Sequence, residues 1–256
     1  MTKIVSLANQ KGGVGKTTTA INLGASLAAC ERKVLLVDLD PQGNATSGVG
    51  LPKNDEKSMY DVLVDGMSVK DIILPTELPM LFVAPSSVDL VGAEVELRDA
   101  IGREYYLRRA LEPVNGEYDY ILIDSPPSLG LLTVNGLTAA QSVLVPMQCE
   151  YFALEGVSQL LTTVERVRDA VNPGLEIEGI VLTMYDERMN LSRQVAEEVR
   201  NHFGEKVYST IVPRNVRLGE APSFGKPIIL YDIRSRGSEA YVNLAKEFIR
   251  RAENVI

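Results

Sequence analysis

Short apolar runs alternate with helical patterns along most of this chain. The runs are too continuous for strands with one wet face, and they fall at residues 4–8, 34–37, 81–84, 120–123, 143–145 and 180–182. Between most of them, apolar residues recur at helical spacing over residues 18–29, 105–111, 154–170 and 191–203. Buried strands that alternate with helices require right-handed crossovers. The pattern therefore predicts an α/β fold with a doubly wound, mostly parallel twisted sheet flanked by helices.

The length and composition favour a single domain that covers residues 1–256. Of the 256 residues, 45% are hydrophobic, which is enough to bury a full core, and no repeat or Pro/Gly/Ser-rich linker interrupts them. No apolar run approaches the roughly 18 residues of a transmembrane helix. The first predicted strand begins within three residues of the start, which leaves no room for a signal peptide. We therefore expect a cytoplasmic location.

A glycine-rich turn links the first predicted strand to the first predicted helix. Its sequence is KGGVGKTT, residues 11–18. Glycines let backbone N–H groups curl around an anion, a helix N-terminus adds partial positive charge, a lysine reaches the outer phosphates, and a hydroxyl binds Mg²⁺. Gln10 stands where the usual G-x-x-x-x-G-K-T pattern has its first glycine, and a second lysine, Lys11, follows it. The turn predicts a nucleotide site with one lysine more than usual.

Carboxylates follow two of the later predicted strands. Asp38 and Asp40 come after the run that begins at residue 34, and Asp124 follows the run at 120–123. Residues two apart on an extended segment point the same way, so Asp38 and Asp40 can both face the phosphates. Such carboxylates hold Mg²⁺, directly or through water, or orient an attacking water. Combined with the glycine-rich turn, they predict a nucleotide hydrolase.

The charge, cysteine and histidine content argues against several other functions. The net charge is −8, and the acidic excess lies in residues 1–180, whereas residues 181–256 are slightly basic. This balance argues against DNA contacts over the whole surface. Cys30 and Cys149 stand at unrelated spacing, so we expect two buried thiols in a reduced compartment. His202 lies in a polar helix, where we expect a surface position and no Ser-His-Asp chemistry.

The motifs resemble those of the deviant Walker ATPases of the ParA/Soj chromosome- and plasmid-partition family. The resemblance rests on KGGVGKTT, VDLDPQGN (37–44) and IDSPPSLG (123–130), and continues through EYFALEG (150–156), TMYD (183–186) and PRNVRLGEAPS (213–223). It covers essentially the whole chain. It implies an ATP- and Mg²⁺-dependent sandwich homodimer that binds double-stranded DNA without sequence preference. A ParB-type partner then stimulates slow ATP hydrolysis and releases the dimer, and the implied location is the nucleoid, with no membrane partner.

The resemblance also assigns roles within the glycine-rich turn. Lys16 corresponds to the usual phosphate-binding lysine and Thr17 to the Mg²⁺ ligand. Lys11 corresponds to the family's signature lysine, which reaches the nucleotide of the partner subunit. The turn as a whole would hold the nucleotide through Lys11, Gly12, Gly13, Val14, Gly15, Lys16, Thr17 and Thr18.

Roles outside the turn follow from the same resemblance. Asp40 matches the position that supports the hydrolytic water, Asp38 lies near the metal, and Asp124 is the Walker B acid that binds it. Pro213 and Asn215 match the loop that packs around adenine.

Two arginines match the DNA-binding positions of the family. They are Arg188, in a polar turn, and Arg217, in the segment that follows the adenine loop. Arg193, Arg200 and Lys226 are candidates to extend the patch. We expect DNA affinity to rest on phosphate contacts and to fall steeply with salt.

Three other interpretations use the same motifs. A MinD-like membrane-associated ATPase docks through a C-terminal amphipathic helix, and an apolar stripe here consists of Tyr241, Leu244, Ala245, Phe248, Ile249 and Ala252. An iron–sulfur carrier of the nitrogenase iron-protein kind needs two cysteines at a dimer seam, and Cys30 and Cys149 match neither expected motif. A nonenzymatic nucleotide sensor is hard to reconcile with three acidic positions. Because the glycine-rich turn starts near residue 10, we expect no N-terminal helix-turn-helix domain and no operator binding through one.

Overall fold

The computed structural model describes residues 2–53, 57–150 and 153–253, and its seven strands form one sheet. The order across the sheet is β3-β4-β2-β5-β1-β6-β7, and every neighbouring pair is parallel except β3 with β4. This confirms the predicted doubly wound, mostly parallel architecture. The strands are β1 (Lys3–Leu7), β2 (Val34–Asp38), β3 (Leu74–Pro75), β4 (Leu81–Ala84), β5 (Tyr120–Asp124), β6 (Ser142–Gln148) and β7 (Glu176–Thr183).

Helices flank the sheet on both faces. Within the described ranges they are α1 (Lys16–Ala29), α2 (Asn44–Gly48), α3 (Met59–Leu63), α4 (Leu90–Glu96), α5 (Tyr106–Leu111), α6 (Leu131–Ala139), α7 (Ala153–Ala170), α8 (Asn190–Phe203), α9 (Val216–Glu220), α10 (Ile228–Tyr231) and α11 (Arg236–Ala252). Single 3₁₀ turns occur at Val69–Asp71, Arg103–Tyr105, Glu112–Val114, Gly204–Lys206 and Ala221–Phe224. Tyr151 and Phe152 of the EYFALEG block lie outside the described residues, as do the last three residues of the chain.

Each predicted strand and helix coincides with an observed element, with differences of a few residues at the ends. The elements that periodicity did not predict are mostly short. The exception is α6, in which seven of nine residues are buried. A helix that is covered nearly all round has no polar face, so its sequence lacks the amphipathic period by which helices are recognised.

The two faces of the sheet carry separate apolar clusters. Successive strand residues point to opposite faces, so Ile4 and Leu35 join one cluster, whereas Val5 and Leu36 join the other. Helices α1 and α11 supply the cluster around Val5, and α5, α6, α7 and α8 supply the cluster around Ile4. Both sides of each central strand are therefore buried, which explains why the strands read as continuous apolar runs.

The apolar stripe of α11 packs on the protein's own sheet. Tyr241, Leu244 and Phe248 are almost completely buried, and the ring of Phe248 meets that of Tyr120 edge-on at 5.3 Å. The Tyr241 hydroxyl lies 3.1 Å from that of Thr19 in α1. The stripe on which the membrane interpretation depended is thus already covered. No helix in the described ranges is both long and apolar enough to cross a membrane.

The two cysteines and the histidine lie in separate parts of the fold, Cys30 after α1, Cys149 after β6 and His202 in α8. Both cysteines are free, and Cys149 is buried as predicted, but Cys30 is only half-buried. The prediction was wrong for Cys30 because this residue is the C-cap of α1, where the helix ends and its buried face no longer covers the side chain. His202 is exposed near the end of α8, as expected.

Replacement of Phe248 tests the packing of α11. We expect Phe248→Ala to lower the free energy of unfolding by about 3–5 kcal/mol, because a fully buried ring is lost from a packed core. Lys246→Ala, on the exposed side of the same helix, should change it by less than about 0.5 kcal/mol. Urea unfolding followed by circular dichroism measures both. Equal effects of the two substitutions would contradict the packing.

Candidate nucleotide-binding site

The glycine-rich turn connects the carboxyl end of β1 to the N-terminus of α1. Gly13 and Gly15 have φ angles of +74° and +86°, in the left-handed region that strains other residues. No side chain caps α1, whose N-cap position is Gly15. Backbone N–H groups of its first turn are therefore open to an anion, and the helix dipole favours one there.

Contacts from the neighbouring strands hold this turn in place. The Asn9 amide donates to the carbonyl oxygen of Pro146 at 2.8 Å and accepts from the backbone N–H of Lys11 at 3.0 Å. The Thr183 hydroxyl, at the end of β7, donates to the carbonyl oxygen of Val14 at 2.8 Å. The turn is thereby fixed to the ends of β6 and β7 before any ligand arrives.

A cavity of about 570 Å³ opens above the turn, at the carboxyl ends of the parallel strands. This is where doubly wound sheets bind ligands. The predicted adenine neighbours Pro213 and Asn215 line the same cavity as the turn, although about 200 residues separate them along the chain. Val14 is buried and does not line it. The other predicted residues in its wall are Gly12, Gly13, Gly15, Lys16, Thr17, Thr18 and Asp40.

Asp38 and Asp124 lie side by side because β2 and β5 are parallel and in register at these two residues. Both are fully buried. The Asp38 carboxylate accepts from the backbone N–H and the hydroxyl of Thr46, at 2.8 and 2.7 Å, and from the backbone N–H of Asp40 at 3.2 Å. Burial nevertheless raises the pKa of Asp38 to about 6. The hydrogen bonds offset only part of the desolvation cost.

Asp124 has no hydrogen-bond partner on either carboxylate oxygen within the described residues. Burial raises its pKa well above the usual value, and the charge of Asp38 adds to the effect. The nearby Thr17 hydroxyl and Lys16 lower the pKa in part, although Thr17 falls short of hydrogen-bonding geometry. A buried carboxylate without a donor is suited to a cation or to a water bound to one.

The donor set around Asp124 matches the way proteins bind Mg²⁺. In the described part of the chain, no cluster of three or more His, Cys, Asp or Glu side chains could hold a metal alone. Mg²⁺ does not require one, because it keeps several waters and takes one or two protein ligands plus phosphate oxygens. The Thr17 hydroxyl and the unpaired Asp124 oxygens fit that role beside a bound triphosphate.

Asp40 differs from the two buried carboxylates because it forms part of the cavity wall. It is 8% exposed, and its side chain accepts from the backbone N–H of Gln42 at 3.0 Å. The Ser86 hydroxyl donates to its carbonyl oxygen at 2.6 Å and fixes the backbone. These contacts hold the Asp40 carboxylate at the cavity wall.

The two lysines of the turn point to different places. Lys16 is buried, and its Nζ lies 3.4 Å from the carbonyl oxygen of Lys11. Burial lowers the pKa of Lys16, whereas Asp124 and Asp40 oppose the change. Lys11 is partly exposed and forms a 2.6 Å ion pair with Glu150, beyond the end of β6. Lys16 therefore lines the cavity, whereas Lys11 is not part of its wall.

The two predicted DNA-binding arginines lie on neighbouring segments, Arg188 in the loop before α8 and Arg217 in the first turn of α9. Tyr185 pairs with Pro213 in an isolated parallel bridge, which joins the loop before α8 to the loop before α9. Arg188 is 84% exposed and pairs with Asp186 at 2.7 Å, which lowers the pKa of Asp186 to about 2. Arg217 is 54% exposed and pairs with Glu220 at 2.8 Å.

The three candidate extensions of the arginine patch are spread more widely. Arg193 is exposed in the first turn of α8, near Arg188. Arg200 lies near the other end of this helix, about 15 Å from its start at 1.5 Å per residue. Lys226 follows the 3₁₀ turn after α9 and lies 3.5 Å from Glu77.

Several residues that shape the site carry no recognisable signal in the sequence. Thr46 holds Asp38, Thr183 holds the glycine-rich turn, Glu150 holds Lys11, and Tyr241 lines the cavity from α11. Each acts through a contact that the fold creates between distant segments. Thr183 belonged to a block that carried the family resemblance, but its spacing gave no hint of this hydrogen bond.

Comparisons with known proteins agree with the site. A family model described as an AAA domain matches residues 2–177. The chain is 61% identical to the sporulation initiation inhibitor protein Soj of Bacillus subtilis, over 96% of this chain and 98% of that protein. It is 58% identical to the chromosome partitioning protein ParA of Caulobacter vibrioides, over 97% and 94%.

A solved structure shares the fold over nearly the full length. It is that of cobyrinic acid a,c-diamide synthase from Mycobacterium smegmatis with bound ADP and magnesium. The TM-score is 0.87 at 39% sequence identity, and the match covers 99% of this chain and 96% of that one.

The lack of hydrogen-bond partners for the buried Asp124 carboxylate among the described residues predicts that its replacement stabilises the protein. At pH 7.5, without nucleotide or Mg²⁺, we expect Asp124→Asn to raise the free energy of unfolding by about 1–3 kcal/mol, because it removes a buried carboxyl group whose ionisation is opposed by burial and by Asp38 and whose oxygens lack hydrogen-bond partners in the part of the chain that the structure describes. The raised pKa means that wild type loses stability as pH rises through the pKa values of the Asp38–Asp124 pair. The gain should therefore shrink towards pH 5.

Urea unfolding at pH 5 and pH 7.5 measures this difference. Asp169→Asn, at an exposed position on α7, is the matched control and should change stability by less than about 0.5 kcal/mol. A variant less stable than wild type at pH 7.5 would show that Asp124 is already compensated in the protein without ligands.

Proposed function

Because this chain belongs to the ParA/Soj family of chromosome-partitioning ATPases, we propose that it is an ATP-driven switch that carries DNA. ATP binding joins two copies into a sandwich dimer, the dimer binds DNA without sequence preference, and ATP hydrolysis stimulated by a ParB-type partner releases it. The observation that carries the proposal is the single cavity that unites the glycine-rich turn, Asp40 and the segment around Pro213. Identities of 58% to the partitioning protein ParA and 61% to Soj, against 39% to the synthase, favour partitioning.

Nucleotide binding uses residues that the fold has already ordered. The phosphates lie against the N–H groups of the glycine-rich turn, with the Lys16 ammonium beside them and Thr18 in support. Pro213 and Asn215 enclose the adenine at the other end of the cavity. Because the turn is held by Thr183 and Asn9, little ordering is required on binding.

Hydrolysis depends on charge placed around the terminal phosphate. Mg²⁺, held by Thr17 with Asp124 and Asp38 around it, would neutralise charge on the phosphate oxygens and fix their position. Asp40 orients the attacking water from the cavity wall. Lys16 stabilises the negative charge that develops on the equatorial oxygens.

Lys11 supplies the second cation from the partner subunit. In the single chain its ammonium is paired with Glu150 outside the cavity, which supports a target other than its own nucleotide. A cation delivered in trans to a phosphoryl group accelerates transfer by about 10³–10⁵. Hydrolysis then depends on dimerisation, as a switch requires.

DNA binding uses Arg188, in the loop before α8, and Arg217, in the first turn of α9, beside the nucleotide cavity. Both guanidinium groups are exposed although they pair with carboxylates (Arg188 with Asp186, Arg217 with Glu220 and Asp232), and ion pairs at the surface contribute about 0–1 kcal/mol. DNA phosphates can therefore replace these carboxylates. Contacts to phosphates carry no sequence information, so binding is nonspecific and places the dimer on the nucleoid.

Lys11→Ala tests the trans role of the signature lysine. We expect the variant to bind ATP but to form no ATP-stabilised dimer, because the cation that joins the two subunits is missing. Light scattering coupled to size-exclusion chromatography, with a slowly hydrolysed ATP analogue, measures the dimer. Lys70→Ala, which breaks a comparable exposed ion pair with Glu117, should dimerise normally. A normal dimer of Lys11→Ala would rule out the trans role.

The double variant Arg188→Glu, Arg217→Glu tests the DNA surface. We expect it to lose retention on plasmid DNA while ATP-dependent dimerisation survives, because both phosphate contacts become repulsive. Arg188→Ala with Arg217→Ala should weaken binding and reduce the slope of log K against log salt by about 2 per subunit. Lys70→Glu with Arg166→Glu changes the net charge equally at exposed positions elsewhere. If this control lost DNA binding to the same extent, net charge rather than the two arginines would be responsible.

A further inference from the structure

Exposed valines in helix α4 and in the turn before it are covered by nothing in the described chain. Val91 and Val95, four residues apart on one face of α4, are 61% and 62% exposed, and Val88, in the preceding turn, is 65% exposed. Ile101, in the turn that follows, is 96% exposed. We call these four residues the α4 face. Clustered exposed aliphatic side chains of this kind mark interaction sites in soluble proteins.

A groove lies between this face and the start of α6. Its volume is about 560 Å³, and Val91, Val95, Leu129, Leu131 and Val134 contribute its apolar lining. The groove is separate from the nucleotide cavity, with which it shares no lining residue. Glu94, Arg98, Arg103 and Glu104 also line it, so the groove combines an apolar floor with charged side chains of both signs beside the exposed valines.

The rim of the α4 face is acidic. Arg98 and Arg103 are the only basic residues between positions 88 and 104, and Arg103 pairs with its neighbour Glu104. Asp99 is exposed and has no ion-pair partner within the described residues. The acidic residues in this stretch are Asp89, Glu94, Glu96, Asp99 and Glu104.

The negative charge around the α4 face determines which kinds of molecule can bind there. An acidic rim repels nucleic acid and anionic lipid, and a symmetric contact with a second copy would place the rim against itself. A segment with apolar anchors flanked by Lys or Arg satisfies both the valines and the carboxylates. We infer that the α4 face and its groove dock a short basic amphipathic segment of a partner protein. The inference rests on the proposed function, in which that partner is the ParB-type stimulator of ATP hydrolysis.

A contact from α4 leads towards the hydrolysis site. The Glu94 carboxylate packs against Gly130, where any larger side chain would collide with it, and accepts weakly from the backbone N–H of Leu132 at 3.4 Å. Gly130 ends the loop that begins after Asp124, and Pro127 within this loop lines the nucleotide cavity. A segment seated on α4 can therefore displace this loop through Glu94.

Two double variants test the docking surface. Val91→Ser with Val95→Ser removes the apolar anchors, and Glu96→Lys with Asp99→Lys reverses the rim charge. The probe is the full-length ParB-type protein from the same genome, titrated onto the full chain with ATP and DNA. We expect each double variant to weaken partner binding at least about 10-fold, as loss of a central anchor does. ATP-dependent dimerisation, DNA retention and hydrolysis without partner should stay unchanged.

Matched controls carry the same chemical changes elsewhere. Met80→Ser removes an exposed apolar side chain at the β4 edge, and Glu205→Lys with Asp169→Lys reverses two exposed charges. Both should bind the partner like wild type. Normal partner binding by the α4 variants would overturn the docking surface alone. A wild-type protein that the partner neither binds nor stimulates would instead overturn the partner step of the proposed function.

Other occupants give distinct results. Loss of the ATP-dependent dimer in Val91→Ser with Val95→Ser would make the face a subunit interface and overturn the inference. Binding of wild type, but not of this variant, to anionic lipid vesicles would do the same in favour of a membrane.

Glu94→Gln tests the connection to hydrolysis. We expect this variant to bind the partner within about twofold of wild type, because the valines and the rim remain, but to be stimulated several-fold less. Hydrolysis without partner reports whether the site itself is intact. Full stimulation of Glu94→Gln would show that the docked segment acts through another contact.

Discussion

The convergence of Asp38, Asp40 and Asp124, with the buried Lys16 near the last two, is the constraint on which the rest of the site depends. Parallel pairing of β2 and β5 sets Asp38 beside Asp124, and Asp40 follows two residues later. Burial raises the pKa values of both Asp38 and Asp124, and repulsion from neighbouring carboxylates adds to the effect. Lys16 compensates only part of it. The nucleotide-free protein therefore has an excess of buried negative charge, which a cation bound with ATP neutralises. Ligand binding and folding stability are linked for this reason.

The segments that leave this cluster extend to the surfaces where partners are proposed to bind. The loop after Asp124 runs to Gly130 and the Glu94 carboxylate of α4. The segment after Asp40 continues through α2 to Gly50, which packs against Gly225 so closely that a Cβ on Gly50 would lie 2.9 Å from the Gly225 carbonyl oxygen. Gly225 follows α9, which contains Arg217, and the 3₁₀ turn after it. Movement of either loop at the nucleotide is thus transmitted by close packing, which does not deform continuously.

Local chemistry made the strands, the glycine-rich turn and the strand-end carboxylates predictable, because each is a property of a few consecutive residues. The ion pair between Lys11 and Glu150 was not predictable, since the fold alone brings together residues that are 139 positions apart. The same holds for Thr46 on Asp38 and Thr183 on the turn. The α4 face escaped prediction for a different reason, because exposed and buried valines look identical in a sequence. Exposure is decided by what the rest of the chain leaves uncovered.

The cations proposed to act between molecules share one arrangement. Lys11, Arg188 and Arg217 each pair with carboxylates of their own chain at the surface, Arg217 with both Glu220 and Asp232, whereas Lys16 is buried. Exposed pairs contribute little, and a phosphate that accepts two charge-assisted hydrogen bonds can displace the carboxylate. A chain with a net charge of −8 that offers only the two proposed arginines to DNA would make few phosphate contacts. The proposed dimer would double the number of contacts, and because each contact multiplies affinity, dimerisation by itself would convert weak DNA binding into retention.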